Sequence, residues 1–409
     1  MGFYAFKFPI FHKKNHDFYL SLKFLSLLTM EIGTQQNVSK EILLKAFNHM
    51  MLAKAMADIY EENRNVCKYV HSTSRGHEAI QLATAYQLTN EDWVSPYYRD
   101  ESLLLGIGFE PYQLMVQLLA KAEDPFSGGR SYYAHPSSLA ENLPKIIHQS
   151  SATGMQAIPT TGIAQGIQYI QEFNLKTYDK NPVVVCSLGD NSVTEGEVSE
   201  AFQFAALHQL PIIFLVQDNE WGISVTKDEA RTSDAYDFAA GFVGLNRMRV
   251  NGTNFVESFE AMKQAVDFVR TERKPILVCA KTVLIGHHTS GVRREFYRDE
   301  EDLNKHRAQD PGIVLRNQLL NDGVDEDLLK QIEKKARLEA EQAFQKAISA
   351  ENPKGDSVQD HVFAPTPITE EIGEREPKGQ EKIVMVDAAI HAIQELMWKH
   401  PEALLYGQD

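Results

Sequence analysis

The sequence lacks several features that would assign it to whole classes of protein. It has three widely spaced cysteines in 409 residues, which argues against a disulfide framework or a zinc knuckle. Acidic residues outnumber basic ones by 56 to 41, and the formal charge of -15 argues against nonspecific nucleic-acid binding. No run of about 20 apolar residues occurs, so no membrane-spanning helix is expected. The 43% of hydrophobic residues are typical of a globular protein, and the few cysteines favour a reducing, cytoplasmic location.

Two nucleotide-binding motifs are also missing. No G-x-G-x-x-G segment follows a strand, which argues against a nicotinamide-dependent dehydrogenase of doubly wound fold. No G-x-x-x-x-G-K-[ST] segment is present either, which argues against a P-loop nucleotidase.

The two ends of the chain differ in composition from its middle. Residues 1–29 are rich in Phe, Leu, Lys and His, and Lys23 interrupts the apolar stretch that a signal peptide needs. We expect an unstructured leader with Met30 as an alternative start, or else a weak membrane-surface segment. Residues 351–381 combine charge with four prolines, which is typical of a linker. The composition therefore predicts one large domain over 30–350 and a separate segment over 382–409 after the linker.

Short apolar runs alternate with helical segments in the middle of the chain. The runs at 182–188, 211–216 and 275–280 are bounded by turn signals and predict buried strands. Helices are predicted between them, and also at 40–62, from residue 76 and at 325–349. The pattern indicates an α/β fold with a mostly parallel central sheet flanked by helices and with helical N- and C-terminal extensions. Ligands of such sheets bind at the carboxyl ends of the strands.

Polar side chains follow two of these predicted strands. Asp190 comes directly after the first strand, and Asn219 and Trp221 follow the second. A carboxylate, an amide oxygen and a backbone carbonyl suit Mg²⁺, which usually retains phosphate oxygens among its six ligands. Thr194 and Glu197 fit a capping box that would start the next helix beside this site. Each loop taken alone could also be an ordinary polar turn.

The loop at 189–191 together with Asp218 and Asn219 resembles the thiamine-diphosphate motif of thiamine-dependent enzymes. Residues from about 40 to 320 further resemble the alpha subunit of the decarboxylating component of 2-oxo acid dehydrogenase complexes. The segments that carry this resemblance are 75–79 (RGHEA), 194–197 (TEGE), 201–206 (AFQFAA) and 211–214 (PIIF). The resemblance implies the thiamine-diphosphate-binding fold, thiamine diphosphate and Mg²⁺ as cofactors, and decarboxylation of a 2-oxo acid followed by acyl transfer to a lipoyl group.

The resemblance also implies roles for individual residues. His288 would lie near the thiamine and help the transfer to the lipoyl group, with a pKa near working pH, and His135 would lie near the substrate. Asp190, Asn219 and the Trp221 carbonyl would bind the metal. The stretch 151–159 would lie against the pyrimidine, but Thr153 and Gly154 replace the usual residues of a monovalent-ion site, which we do not predict. The residues expected to contact the cofactor are Tyr98, Arg99, Ala152, Gly154, Gly189, Asp190, Asn191, Ser192, Asn219, Trp221 and His288.

Some residue types depart from the family pattern or allow another interpretation. Asn191 replaces a glycine, Gln217 stands where branched-chain enzymes often carry arginine, and His77 stands where the family usually has glutamine. The adjacent histidines 287 and 288 could instead bind a transition metal, although no third ligand with suitable spacing occurs. Thr289 and Ser290 occupy a segment that is phosphorylated in some relatives.

The last residues of the chain resemble a different subunit of the same family. Residues 381–409 resemble the start of the family's beta subunit, with strand-like residues at 383–386 leading into an amphipathic helix that ends near Lys399. They predict an alpha–linker–beta fusion cut short in its beta half, which would be inactive alone; a helix used for docking is the alternative. Expected partners are a beta subunit or beta half, in an alpha2-beta2 assembly or a homodimer of the fusion, and the lipoyl domain of the acyltransferase component.

The paired histidines followed by Thr-Ser favour a branched-chain, 2-oxoisovalerate type of enzyme. Alternatives are a pyruvate or acetoin dehydrogenase alpha subunit, or a noncatalytic assembly subunit of the same fold. We expect neither a nucleic-acid nor a membrane partner.

Overall fold

Seven strands account for the β structure that the computed structural model describes, which covers residues 38–365, 373–374, 378–379 and 381–406. The three predicted runs form strands because their β-branched and aliphatic residues are buried on both faces of a sheet. The strands are β1 (Trp93–Ser95), β2 (Val184–Gly189), β3 (Ile212–Asp218), β4 (Trp221–Gly222), β5 (Val225–Thr226), β6 (Asn246–Asn251) and β7 (Ile276–Lys281).

Helices surround the sheet and extend beyond it at both ends. The first of them coincides with the predicted segment 40–62 and is capped by Ser39, whose hydroxyl accepts a hydrogen bond from the Ile42 amide. The helices are α1 (Lys40–Glu62), α2 (Glu78–Ala85), α3 (Glu101–Ile107), α4 (Pro111–Leu118), α5 (Ala157–Glu172), α6 (Gly196–His208), α7 (Lys227–Ala230), α8 (Ala235–Phe238), α9 (Phe255–Glu272), α10 (Glu300–Arg307), α11 (Pro311–Asn321), α12 (Glu326–Ser349) and α13 (Met385–Lys399).

The main sheet has five parallel strands in the order β1-β2-β3-β7-β6. Successive strand residues point to opposite faces, so Val185 and Ile213 pack with α2 and α9 in one core. Their neighbours Cys186 and Phe214 pack with α5 and α6 in a second core on the other face. Helices thus cover both faces of a parallel sheet, and the predicted fold class is confirmed.

A third apolar cluster joins the helices at one end of the sheet. It contains Tyr60 of α1 and Phe344 of α12, whose ring centroids lie 6.4 Å apart. The predicted helix at 325–349 is therefore confirmed as part of the globular domain. Leu328, near the start of this helix, is 39% exposed, whereas Phe344 near its end is buried.

Several predictions of local structure were wrong. β1 and β6 were missed, β1 because it has three residues and β6 because only Met248 and Val250 are buried among polar neighbours. No capping box joins Thr194 to Glu197; Glu195 is the N-cap of α6, and the Thr194 hydroxyl donates to the Asn191 carbonyl.

The end of the chain also differs from its prediction. Residues 381–384 form no strand, because helix α13 already begins at Met385 and includes Val386. The predicted leader and residues 407–409 lie outside the described residues, as does part of the predicted linker. None of the helices described is long and apolar enough to cross a membrane.

Candidate cofactor site

The carboxyl ends of β2 and β3 bring the two predicted loops together. These strands are direct neighbours, and Gly189 pairs with Gln217 in their register. Asp190 opens a 3-10 turn immediately after β2, while Asn219 lies between β3 and β4. The predicted loops therefore lie at one edge of the sheet, on adjacent strands rather than with a strand between them.

A cavity opens at this edge with about 930 Å³ of empty space, part of it open to solvent. Every residue that sequence reasoning assigned to the site lines it: Tyr98, Arg99, His135, Ala152, Gly154, Gly189, Asp190, Asn191, Ser192, Asn219, Trp221 and His288. The structure therefore brings together residues from six separate segments of the chain.

Arg99 supplies a buried positive charge to the cavity. Its residue is 1% exposed, and Nη2 donates to the His288 carbonyl at 3.2 Å and Nη1 to the Thr73 carbonyl at 3.4 Å. Nε has no hydrogen-bond partner, and no carboxylate lies within ion-pairing distance among the described residues. A buried guanidinium held only by carbonyls is suited to a planar, bidentate contact with phosphate.

A second guanidinium, that of Arg231, lies next to the Asp190 carboxylate and was not predicted from the sequence. Arg231 Nη1 donates to Asp190 at 2.6 Å, and Nη2 donates to Asp218 at 2.7 Å. Burial, together with the Asp218 charge, raises the pKa of Asp190, and Arg231 opposes that shift. The two buried carboxylates around Arg231 show that this part of the cavity wall attracts positive charge. A metal ion bound to Asp190 has to share or replace the Arg231 contact.

Asn219 presents its amide oxygen within its own turn. Oδ1 accepts a hydrogen bond from the Trp221 amide at 3.0 Å, and Nδ2 contacts His77 Nε2 at 3.1 Å. Together with the Asp190 carboxylate and the Trp221 carbonyl, that oxygen forms the predicted set of hard ligands, and all three residues line the cavity. The donor chemistry fits Mg²⁺.

His288 differs from its prediction in one respect. Burial and the positive charge of Arg99 lower its pKa to about 3, so the imidazole is neutral at working pH and does not titrate near it. Its carbonyl accepts from the Ser72 hydroxyl at 2.6 Å and from Arg99, while its Nδ1 is buried without a hydrogen-bond partner. The ring is thus held over the cavity as an uncharged base.

His135 and Gly154 line other walls of the cavity. His135 is buried, its Nδ1 donates to the Tyr133 carbonyl at 2.8 Å, and burial lowers its pKa. Gly154 has φ +80, and a Cβ there would lie 3.0 Å from the Val198 side chain. Glycine therefore meets both a backbone and a packing requirement at this wall.

Two of the three departures from the family pattern, Asn191 and Gln217, have defined environments. Asn191 lies against Gly222, where a Cβ would come 1.5 Å from its Nδ2, and its Oδ1 accepts from Arg231 at 3.1 Å. Gln217 does not line the cavity; it is fully buried and bonded to polar side chains beneath it. Gln217 therefore contributes no side chain to the cavity wall.

The transition-metal alternative for the histidine pair finds no support among the residues described. They contain no group of three or more His, Cys, Asp or Glu side chains that could hold a metal ion. His287 instead faces Glu61 at 3.8 Å and Glu295 at 3.7 Å.

Residues 48–355 match the profile of a protein family described as "Dehydrogenase E1 component". Among curated proteins, the chain is 29% identical over 297 residues to the 2-oxoisovalerate dehydrogenase subunit alpha of Bacillus subtilis, covering 71% of this chain and 85% of that protein. It is 29% identical to the mitochondrial 2-oxoisovalerate dehydrogenase subunit alpha 2 of Arabidopsis thaliana, over 74% of this chain and 63%, less than two thirds, of that protein. It is 27% identical to the pyruvate dehydrogenase E1 component subunit alpha of Rickettsia conorii, over 73% and 89% of the two chains.

Proposed function

Because this chain belongs to the dehydrogenase E1 component family, with 2-oxo acid dehydrogenase alpha subunits as relatives, we propose that its cavity binds thiamine diphosphate with Mg²⁺. The family depends on thiamine diphosphate, and we propose Mg²⁺ as the metal ion that binds with it. The observation that carries the proposal is Arg99, a buried guanidinium with no carboxylate partner among the described residues, in the same cavity as the Asp190 carboxylate.

The cavity offers a positive group for the diphosphate and a negative group for the metal ion, on different parts of its wall. Arg99 would hold diphosphate oxygens, with Tyr98 beside it at 5.4 Å from the guanidinium carbon to the ring centroid. The Asp190 carboxylate, the Asn219 amide oxygen and the Trp221 carbonyl would hold Mg²⁺. If Mg²⁺ and the diphosphate bind together, each lies beside a buried group of opposite charge, Asp190 or Arg99, and the buried charges stay balanced. Neither ion alone would keep this balance.

When bound, thiamine diphosphate supplies the carbon nucleophile and the electron sink for decarboxylation of a 2-oxo acid. The chain's own residues then orient the reactants and exclude water. His288 is neutral, and its Nδ1, which has no hydrogen-bond partner among the described residues, is suited to accept a hydrogen bond from a bound group. We propose that it assists acyl transfer to a lipoyl domain, and that His135 contacts the substrate.

The substrate that we propose is a branched-chain 2-oxo acid of the 2-oxoisovalerate type. The relatives include subunits named for 2-oxoisovalerate and for pyruvate, at similar identity. The His-His-Thr-Ser sequence at 287–290 supports the branched-chain assignment, and pyruvate is the alternative substrate.

Alpha subunits of these complexes pair with beta subunits, and we propose that this chain requires one for activity. The family match ends at residue 355, so the proposed beta-type identity of the segment after 381 rests on resemblance alone. Helix α13 within that segment has no buried residue, and its exposed apolar side chains, such as Ile390 and Leu396, are compatible with a partner surface.

The test is calorimetric binding of thiamine diphosphate and Mg²⁺ to the full chain in the presence of its beta subunit. Asp190→Ala should abolish the Mg²⁺ dependence of binding, because it removes the only carboxylate of the proposed ligand set. Asp267→Ala, which removes an exposed carboxylate of α9, is the matched control and should bind as the original chain does. Binding without Mg²⁺ dependence, or binding unchanged by Asp190→Ala, would refute the proposal.

Turnover separates an enzyme from a noncatalytic assembly subunit. Decarboxylation of 2-oxoisovalerate, followed with an artificial electron acceptor, should appear only when the beta subunit is present. Cofactor binding without any turnover would favour the assembly role.

A further inference from the structure

A chain of buried polar side chains runs beneath the cavity from Asp100 to Asn219. Its members are Asp100, Gln217, His77 and Asn219, and each is at most 4% exposed. The links are Gln217 Nε2 to Asp100 Oδ1 at 2.7 Å, Gln217 Oε1 to His77 Nδ1 at 2.8 Å, and His77 Nε2 to Asn219 Nδ2 at 3.1 Å. Three of the four residues play no part in the site proposed above.

The orientation of Gln217 is fixed from two sides. The Asp100 carboxylate can only accept, so the Gln217 amide nitrogen has to face it. On the opposite side, Gln81 Nε2 donates both to the Arg99 carbonyl at 3.1 Å and to Gln217 Oε1 at 2.9 Å. A reversed Gln217 would place oxygen against carboxylate and nitrogen against nitrogen, so its oxygen has to face His77.

This orientation determines the next two groups in turn. Because Gln217 Oε1 only accepts, His77 Nδ1 has to carry the proton, which leaves Nε2 of the neutral ring as an acceptor. Asn219 then has to present Nδ2 to that acceptor, so Oδ1 points the other way. There Oδ1 accepts from the Trp221 amide and keeps one lone pair for a further contact.

We propose that His77 is a positioning residue that turns the Asn219 amide so that its oxygen is presented to a divalent cation in the cavity. The proposal rests on the proposed function for the identity of the cation, but the orientation itself does not. It also assigns a joint role to two departures from the family pattern, His77 and Gln217, which are in direct contact.

The orientation is tested without any cofactor by long-range ¹H–¹⁵N NMR of the full chain labelled with ¹⁵N-histidine. The His77 signals, assigned by their loss in His77→Gln, should show the tautomer with the proton on Nδ1. A proton on Nε2 would overturn the proposal, because that nitrogen would then require the oxygen of Asn219.

The consequence for the cation is tested with Mn²⁺ as the probe, by electron paramagnetic resonance in the presence of thiamine diphosphate and the beta subunit. His77→Leu should weaken Mn²⁺ binding about tenfold, since one hydrogen bond no longer fixes the Asn219 amide. His77→Gln should retain the affinity within about twofold, because its amide can donate to Gln217 and accept from Asn219. Equal affinity in His77→Leu, or a tenfold loss in His77→Gln, would overturn the proposal.

His49 provides the control for the loss of a partly buried histidine outside the cavity. It is bonded to the Tyr86 hydroxyl at 2.8 Å, and burial lowers its pKa to about 4, but it does not line the cavity. His49→Leu should leave Mn²⁺ affinity unchanged; an equal loss there would show that the effect of His77→Leu is general destabilisation. If the original chain binds no Mn²⁺, the proposed function fails, while the NMR measurement still decides the orientation.

Discussion

Replacing Arg99 by methionine should weaken cofactor binding without weakening the fold. The guanidinium is buried, yet its partners are two carbonyls at 3.2 and 3.4 Å and its Nε has none. Burying such a charge costs several kcal/mol unless a close counter-ion repays it. An apolar side chain of similar length removes that cost, so the unfolding free energy of the cofactor-free chain should stay constant or rise by about 1–2 kcal/mol.

The binding effect of the same substitution has the opposite sign. Hydrogen bonds to charged groups contribute about 1.5–3 kcal/mol each, so the loss of one diphosphate contact should raise the Kd of thiamine diphosphate roughly 10- to 150-fold. Calorimetry with Mg²⁺ and the beta subunit measures the Kd, and urea unfolding of the cofactor-free chain measures stability.

Arg270→Met is the matched control for Arg99→Met. Arg270 forms two hydrogen bonds, at 2.5 and 2.8 Å, to the fully buried Asp92 carboxylate. Its removal leaves that charge unpaired and should cost about 3–5 kcal/mol of unfolding free energy. If Arg99→Met loses stability as Arg270→Met does, or binds thiamine diphosphate unchanged, Arg99 is not the anion-binding group.

Two further predictions concern Glu101 and the Asn191–Gly222 contact. Burial raises the pKa of Glu101 from 4.5 to about 8, so the folded state loses stability as the pH rises through that window. The unfolding free energy of Glu101→Gln should therefore gain about 4 kcal/mol relative to the original chain between pH 5 and pH 9, as measured by urea unfolding. A difference that does not depend on pH would contradict this. Gly222→Ala should lower the unfolding free energy by about 1–3 kcal/mol, because its Cβ would overlap the Asn191 side chain. Adding Asn191→Gly should restore most of that loss, and additive effects in the double-mutant cycle would contradict the contact.

Much of the fold could be predicted because its signals are local. The apolar runs that became β2, β3 and β7 are buried on both faces, so a continuous run of aliphatic residues marks each of them. β6 has no such signal, because polar side chains alternate with Met248 and Val250 and resemble an exposed loop. Helix boundaries were predicted well where a cap was present, as at Ser39.

The positions of the site residues followed from resemblance and topology, but the groups behind them did not. Arg231 contacts Asp190 from 41 positions away, and His77 contacts Gln217 from 140 positions away. No local pattern links residues so distant in sequence, and the two departures at His77 and Gln217 appeared unrelated until the structure placed them in contact. The pKa of His288 was predicted wrongly for the same reason, because its burial and the nearby Arg99 depend on the tertiary structure.

The pairing of Gly189 with Gln217 has a consequence for how the site can change in evolution. The separation of Asp190 from Asn219 is set by backbone hydrogen bonds between β2 and β3, both of which are buried on both faces. A slip of one residue would move one loop by about 3.3 Å and exchange the two buried faces of its strand. An insertion or deletion within either strand would therefore displace a ligand loop by a whole residue, whereas substitutions that keep the register leave the spacing of Asp190 and Asn219 unchanged.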